Sequence, residues 1–325
     1  MAKKDKTPST KKDKYQTRNW REYNQSLVNR GSITFWFNPK VLNKWYSTQK
    51  TGKPGRPETY SDDAIRSALM IKIVFHQALR QLAGLVKSLL ELLGFDLKCP
   101  HYSVFSRRAK ELEIPLSRFL KPGERLNVVF DSTGIKVYGE GEWKVRKHGY
   151  SKRRTWRKVH VGMCADSGQV VITGLTSNNV NDDEAMADML CSLSDVPIGD
   201  VLGDGAYDTT DCRQVIHDLG GRQVIPPKKN ARMQKKNPLD CLEERDKAIS
   251  RIRELGEEGR AQWKREVGYH RRSRVETFMF RYKTIVGEKF SARKWCNQVT
   301  ESRLKVAVLN QMIELGMPKS CKLSC

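Results

Sequence analysis

Leu126-Asn127-Val128-Val129-Phe130-Asp131-Ser132-Thr133 (LNVVFDST) is the stretch at which the hydrophobic period of this 325-residue chain changes. Upstream, apolar residues recur every three or four positions; from here on they alternate or run together, as in strands. GIKVY (134–138), RKVHVGMCADSG (157–168) and QVVITGLTS (169–177) continue the pattern between Gly-containing turns, which predicts three or four paired strands. A helical stretch, DDEAMADMLCSL (182–193), precedes a short apolar strand, DVLG (200–203). TTDCRQVIHDLG (209–220), a helix capped near Asp208, and a last strand, RQVIPP (222–227), then follow. Strands first, then strand and helix in alternation, give an α/β class: a mixed sheet flanked by helices.

Toward the N-terminus, TGKPGRPETYSDD (51–63) concentrates Gly and Pro and ends near Ser61, a good N-cap, so a linker followed by a helix is expected. Ile65, Leu69 and Ile73 predict one helix, and Leu79, Leu82, Val86, Leu89 and Leu93 a second that stops at Gly94. SVFSRRAKEL (103–112) predicts a third, starting at Ser103 and carrying Arg107, Arg108 and Lys110. Two readings stand for this all-α module. A helix-turn-helix would dock its basic third helix on DNA, whereas a plain three-helix bundle would merely solvate that face. Residues 1 to about 18 have little apolar content and are expected to be disordered.

Toward the C-terminus, residues 228–268 are highly charged and helix-favouring, and a final helix is expected from about Thr300 to Leu315, with Gly316 and Pro318 ending it. The expected organisation is a basic, partly disordered arm and linker (1–60), a helical module (61–120), the first part of an α/β core (121–227), a charged helical insertion (228–268) and the end of the core (269–325).

Sixty Lys+Arg against 37 Asp+Glu give a formal charge of +23, which points to a polyanionic partner, nucleic acid before a membrane surface. The apolar runs are broken well before the roughly 18 residues of a membrane span. MAKKDKTPSTKKDK has the charge of a signal peptide without its apolar stretch, so a cytoplasmic location is expected. The eight cysteines form no CxxC pair and are expected to be reduced thiols.

Two acids end apolar strands. Asp131 lies opposite in face to Phe130, and Asp204 follows DVLG in the segment DGAYD. Either alone is equally an Asp of a turn; together they suit a divalent cation held between strand ends. Asp208 is better explained as a helix N-cap and is left out of the site. In YHRRSRVETFMFRYK (269–283), Tyr269, Arg272, Glu276 and Lys283 fall on one helical face, while Val275, Phe278, Met279, Tyr282 and Ile285 fall on another that can pack on a sheet. One helix thereby offers a carboxylate among cations.

DSTG followed by GEGEWKVRKHG, GDGAYDT, and the spacing Y-x2-R-x3-E-x6-K at Tyr269, Arg272, Glu276 and Lys283 resemble the signature of bacterial insertion-sequence transposases, insertion-sequence family five. GRPETYSD (55–62) and LGMP (315–318) are similar to that family too, so the likeness runs over nearly the whole chain. The resemblance implies an RNase H-like core in which Asp131, Asp204 and Glu276 form a DDE triad that binds two Mg2+ ions, with Mn2+ able to substitute. It also implies that Tyr269, Arg272 and Lys283 hold the DNA end, that element ends and target DNA are the partners, and that a homodimer acts on DNA in the bacterial cytoplasm, at the nucleoid. The rival readings are another two-metal nuclease and a DNA-binding regulator without catalysis.

KVRKHGYSKRRTWRK (144–158) carries eight basic residues and no acid: Lys144, Arg146, Lys147, Lys152, Arg153, Arg154, Arg157 and Lys158. A loop of that composition between two strands is expected to grip the DNA backbone, since each phosphate neutralised releases a counterion. Trp143 and Trp156 flank it, and packing is expected of them before base stacking.

Overall fold

The computed structural model describes residues 15–48, 57–116, 123–138, 155–235 and 238–322. A short strand β1 (Tyr15–Thr17) opens the described chain, followed by α1 (Trp20–Arg30), α2 (Ile33–Trp36) and α3 (Pro39–Asn43). This order corrects the expectation of disorder for residues 15–18 and adds short helices to the expected partly disordered arm and linker; the rest of the disorder expectation, at 1–14, and the linker residues 49–56 lie outside the described residues. Trp36, Phe37, Leu42 and Trp45 are buried here, and these apolar side chains anchor helices too short to show a period.

Helix α4 (Asp62–Val74) begins as expected, with the Ser61 side chain accepting from the N–H of Ala64 at 3.1 Å. α5 (Leu79–Leu92) stops before Gly94, whose φ of +71° ends the turn at no steric cost. α6 (Tyr102–Arg108) starts one residue earlier than Ser103, with His101 at the N-cap; the Ser103 hydroxyl is hydrogen-bonded to the His101 ring at 2.9 Å.

β2 (Leu126–Tyr138) is a single strand rather than two separated by a turn, because β3 (Thr155–Cys164) pairs antiparallel along it straight through Gly134. β4 (Val170–Ser177), α7 (Asp182–Cys191), β5 (Ile198–Leu202), α8 (Thr210–Asp218) and β6 (Arg222–Val224) complete the alternation read from sequence. The five-stranded sheet runs β4-β3-β2-β5-β6, antiparallel on the β3–β4 side of β2 and parallel on the β5–β6 side. The charged stretch after β6 forms α9 (Glu243–Glu254) and α10 (Gly259–Glu266). α11 (Ser273–Arg281) is preceded by a 3-10 turn (Tyr269–Arg272) and followed by a π turn (Tyr282–Val286). α12 (Trp295–Leu315) begins five residues before the expected start, and β7 (Ser320–Lys322) pairs with β1, joining the two ends of the described chain.

Alternation along β2 sorts the core into two layers. Val128 and Phe130 face one layer with α7 and α8, where Met186, Leu190, Cys212 and Ile216 are buried. Val129 and Ile135 face the other, shared with Val275 and Phe278 of α11, Leu304 and Val308 of α12, and Ile65 and Leu69 of α4. The helices between 62 and 108 therefore share one continuous apolar layer with the sheet. Gly162 of β3 is required by that packing, since a Cβ there would lie 2.9 Å from the Phe130 ring and 2.6 Å from Ile172. The described cysteines are free thiols, and among the described residues no single helix is long and apolar enough to cross a membrane.

Candidate active site

One edge of β2 has a gap. Its parallel pairing with β5 ends at Val129↔Leu202, and only at Lys136 does another segment come alongside, where the Lys136 N–H donates to Glu288 O at 3.0 Å and Phe290 N–H donates to Lys136 O at 2.8 Å. Asp131 lies in that gap, in mid-strand yet just past the carboxyl end of the parallel half of the sheet. Side-chain alternation turns it to the α11 face, along with Val129.

Asp204 lies two residues beyond Leu202, as Asp131 lies two beyond its partner Val129, and one guanidinium reaches both carboxylates. It caps the 3-10 turn Gly205–Tyr207, its Oδ1 accepting from the N–H of Ala206 at 2.8 Å. Gly203 allows that turn to fold back, since a Cβ would meet the Tyr207 ring at 2.8 Å. Asp131 is tied similarly: its Oδ1 accepts from the N–H of Ser132 at 2.9 Å. Each aspartate thus keeps its Oδ2 for a cation.

The cation that meets both is Arg272. Its Nη2 is 3.6 Å from Asp131 Oδ2 and 3.6 Å from Asp204 Oδ2, while its Nη1 donates to Glu276 Oε1 one helical turn on. Neighbouring arginines go elsewhere and hold the segment in place. Arg271 pairs with Asp200 of β5, and Arg274 donates to the carbonyls of Ala165 and Asp166 in the β3–β4 turn. Desolvation raises the Asp131 carboxyl above its usual range, with Asp204 and Glu276 adding to it and Arg272 opposing. Burial works to lower the Arg272 value, but Tyr269 and the three acids raise it on balance.

Tyr269 is half-buried, with the Lys264 ammonium 4.8 Å from its ring centroid. Lys283 is exposed in the π turn, so the four residues expected on one uniform helical face span 3-10, α and π geometry in succession. Arg272 and Glu276 are brought together; Lys283 makes no ion pair with the three acids. Among the described residues no three acidic, His or Cys side chains converge at metal-ligand spacing, because the guanidinium stands between these three. The donor set nevertheless fits a hard divalent cation: three carboxylates with an oxygen each turned toward a single positive charge.

Several expected residues have other partners. Arg108 is only 14% exposed and holds the 57–62 segment, bonding Glu58 Oε2 at 2.9 Å, the Asp62 carboxylate and Tyr60 O at 2.8 Å. It is therefore a clasp inside the helical module rather than part of a solvated basic face; Arg107 is exposed. Arg157 and Lys158 of the basic patch fall on β3, where the strand read over 157–168 puts them. Arg157 stacks on Trp295 at 4.9 Å, and Lys158 bonds Asp182 at 3.1 Å and Val180 O at 2.9 Å. Lys144, Arg146, Lys147, Lys152, Arg153 and Arg154 lie outside the described residues.

Sequence reasoning missed what lies behind the aspartates. Ser132 donates to Asp182 Oδ2 at 2.9 Å, so the first residue of α7 braces β2 beside Asp131. Asp208 is not the N-cap of α8, which is Thr209; it is a buried carboxylate bound by Arg213 at 2.8 Å and Arg245 at 3.1 Å. Its other oxygen accepts from the N–H of Lys228 at 2.7 Å, which ties the insertion to the core. Burial of an acid beside DGAY leaves no local signal; only its partners, up to 37 residues away, reveal it.

Residues 28–140 and residues 122–311 each match a transposase DDE domain family. Among solved structures, the chain is similar to a piggyBac transposase in a synaptic complex with hairpin DNA, at 10% identity and a TM-score of 0.38, over 88% of this chain and 76% of that one. That likeness is too loose to bear on the site. The second family match covers more than half of the chain and takes in the whole five-stranded sheet: the chain belongs to the DDE transposases, the family of the transposase DDE domain.

Proposed function

We propose that this transposase mobilises an insertion sequence of family five, binding its terminal inverted repeats as a homodimer and catalysing strand cleavage at the element ends and strand transfer into target DNA. The observation that carries the reading is that Asp131 and Asp204 each follow the last parallel pair of β2 and β5 by two residues, with one guanidinium reaching both of them and Glu276. The sheet order, antiparallel on one side of β2 and parallel on the other, supports an RNase H-like core. The net charge of +23 supports double-stranded DNA as the partner, met in the bacterial cytoplasm at the nucleoid.

Asp131, Asp204 and Glu276 would hold two Mg2+ ions, or Mn2+ in their place. Bound there, the ions supply an activated water or 3′-hydroxyl and neutralise charge on the leaving oxygen. The chain's own residues do the rest. The N–H groups of Ser132 and Ala206 fix one oxygen of each aspartate, leaving the other to face a cation. Arg272, once a phosphate competes for it, offers two donors in a fixed fork to that anion. Tyr269 and Lys283 extend contact along the strand, and the helical module with Arg107 supplies a second DNA surface.

The test uses the full chain with Asp131→Asn, Asp204→Asn and Glu276→Gln on a duplex carrying the inverted repeat that flanks the gene. Each substitution should cut Mg2+-dependent cleavage on the order of a thousandfold or more while leaving binding largely intact. Cleavage near the wild-type rate by any of the three removes that residue from the triad.

A further inference from the structure

We infer that Phe280 stacks on a nucleobase at the cleaved end of the DNA, one nucleotide from the reacting phosphate; this rests on the DNA-cleaving reading of Asp131, Asp204 and Glu276. The helix that carries Glu276 buries its other large apolar side chains. Val275, Phe278 and Met279 are at most 7% exposed, and Tyr282 and Val286 of the following turn are buried with them. Phe280 alone breaks that pattern, at 69% exposed. A lone exposed apolar residue is ordinary on a protein surface. This one stands in a particular row: Glu276 and Thr277 one turn before it, Lys283 and Thr284 one turn after it, all exposed.

The spacing suits a nucleic-acid strand. Four residues of α-helix advance about 6 Å and return to nearly the same face, so the ring sits roughly one nucleotide's reach from the Glu276 carboxylate. Charge complementarity selects the occupant. Arg272 on one side and Lys283 on the other, eleven residues and roughly 16 Å apart along the axis, suit phosphates two or three nucleotides apart on one strand, and a flat apolar ring between them suits the face of a base more than an aliphatic side chain. Bases inside a duplex are already stacked on one another, so the ring requires one that is unpaired or has left the stack, as at a frayed or opened end. The polar Ser273 and Thr277 on the same exposed face leave no apolar patch large enough for a protein partner.

The experiment places 2-aminopurine, a fluorescent adenine analogue, at the nucleotide next to the cleavage position in a duplex bearing the flanking inverted repeat with an unpaired end. Wild type, Phe280→Ala and Phe280→Trp are compared for the emission change on binding, alongside affinity for this duplex and for a fully paired unrelated one. Stacking predicts an emission change with wild type that is lost in Phe280→Ala and restored in Phe280→Trp. It also predicts a roughly tenfold loss of affinity of Phe280→Ala for the unpaired end, with unchanged affinity for the unrelated duplex. The same emission change in Phe280→Ala as in wild type, with both proteins bound, overturns the stacking role and leaves the triad standing. A wild-type protein that binds no DNA overturns the reading on which it rests.

Discussion

Asp131 and Asp204 are held together by one guanidinium, each two residues past the register pair Val129↔Leu202, Asp131 still within β2 and Asp204 just beyond the end of β5. Neighbouring strands lie about 4.8 Å apart, so two carboxylates placed this way repel unless a positive charge joins them. In this chain that charge is Arg272, placed by a 3-10 turn just before α11 and steadied by the anchoring of Arg271 and Arg274 on either side of it.

Arg272→Ala should therefore damage positioned chemistry more than general affinity. A guanidinium with two fixed donors can orient one phosphate, whereas loss of one charge among sixty basic residues changes non-specific attraction little. Cleavage of the terminal-repeat duplex should fall by about a hundredfold, with binding to unrelated DNA altered less than about threefold. Equal losses on both duplexes would reduce Arg272 to generic charge.

The two acids of DGAYD should separate by phenotype. Asp208 is 1% exposed in its side chain and shares its charge with the equally buried Arg213. Asp208→Asn leaves that guanidinium without its counter-charge, which should cost about 3–5 kcal/mol of stability. Asp204, 43% exposed, caps only a short turn, and Asp204→Asn should cost under about 1 kcal/mol. Urea unfolding of both variants checks this, and a similar midpoint for the two would contradict the assignment of Asp208 as the buried clasp.

A third contrast lies in the helical module. Arg108→Ala removes two ion pairs and a carbonyl bond that hold residues 58–62 to α6, and should destabilise the protein by about 1–2 kcal/mol, the exposure of Asp62 keeping the figure low. Arg107→Ala should leave stability unchanged and erode preference for the terminal repeat over random DNA. Paired thermal melts and competition binding distinguish the two. A stability loss confined to Arg107→Ala would reverse the roles.

These contrasts mark where sequence is a sufficient guide. Asp131 and Asp204 were legible because an apolar run followed by an acid is a local pattern, although β2 runs on through Asp131, and Arg272 and Glu276 because four residues make one turn. Gly134 misled, since pairing with β3 outweighs one residue's preference for a turn. The uniform face from Tyr269 to Lys283 was legible only in its middle: helical phase assumes a constant 3.6 residues per turn, and the chain tightens before Arg272 and widens after Arg281. Arg108 with Glu58, Asp208 with Arg245, and β1 with β7 are pairings set by the finished fold, and no window along the chain contains them.

His160 gives the fold a pH dependence with a definite sign. It sits on β3, opposite Ser132, buried to 2% exposure and hydrogen-bonded to the Thr176 hydroxyl at 2.8 Å. Burial pulls its pKa from 6.5 down to about 4; Asp182, 4.0 Å from Nδ1, pulls the other way, and Lys158 adds a smaller lowering. The unfolded chain thus binds a proton between pH 6.5 and 4 that the folded protein refuses, so stability falls as pH drops through that window and levels off below it. The contribution is on the order of 2–3 kcal/mol across the window. His160→Gln keeps a hydrogen-bonding group near Thr176 but cannot titrate, and should flatten the dependence there while other carboxylates still act near its lower end. Urea unfolding of both proteins at intervals from pH 7 to 4 checks it. Parallel curves for wild type and His160→Gln would show that the imidazole accepts its proton in the folded state, and would place the acid sensitivity of this sheet elsewhere.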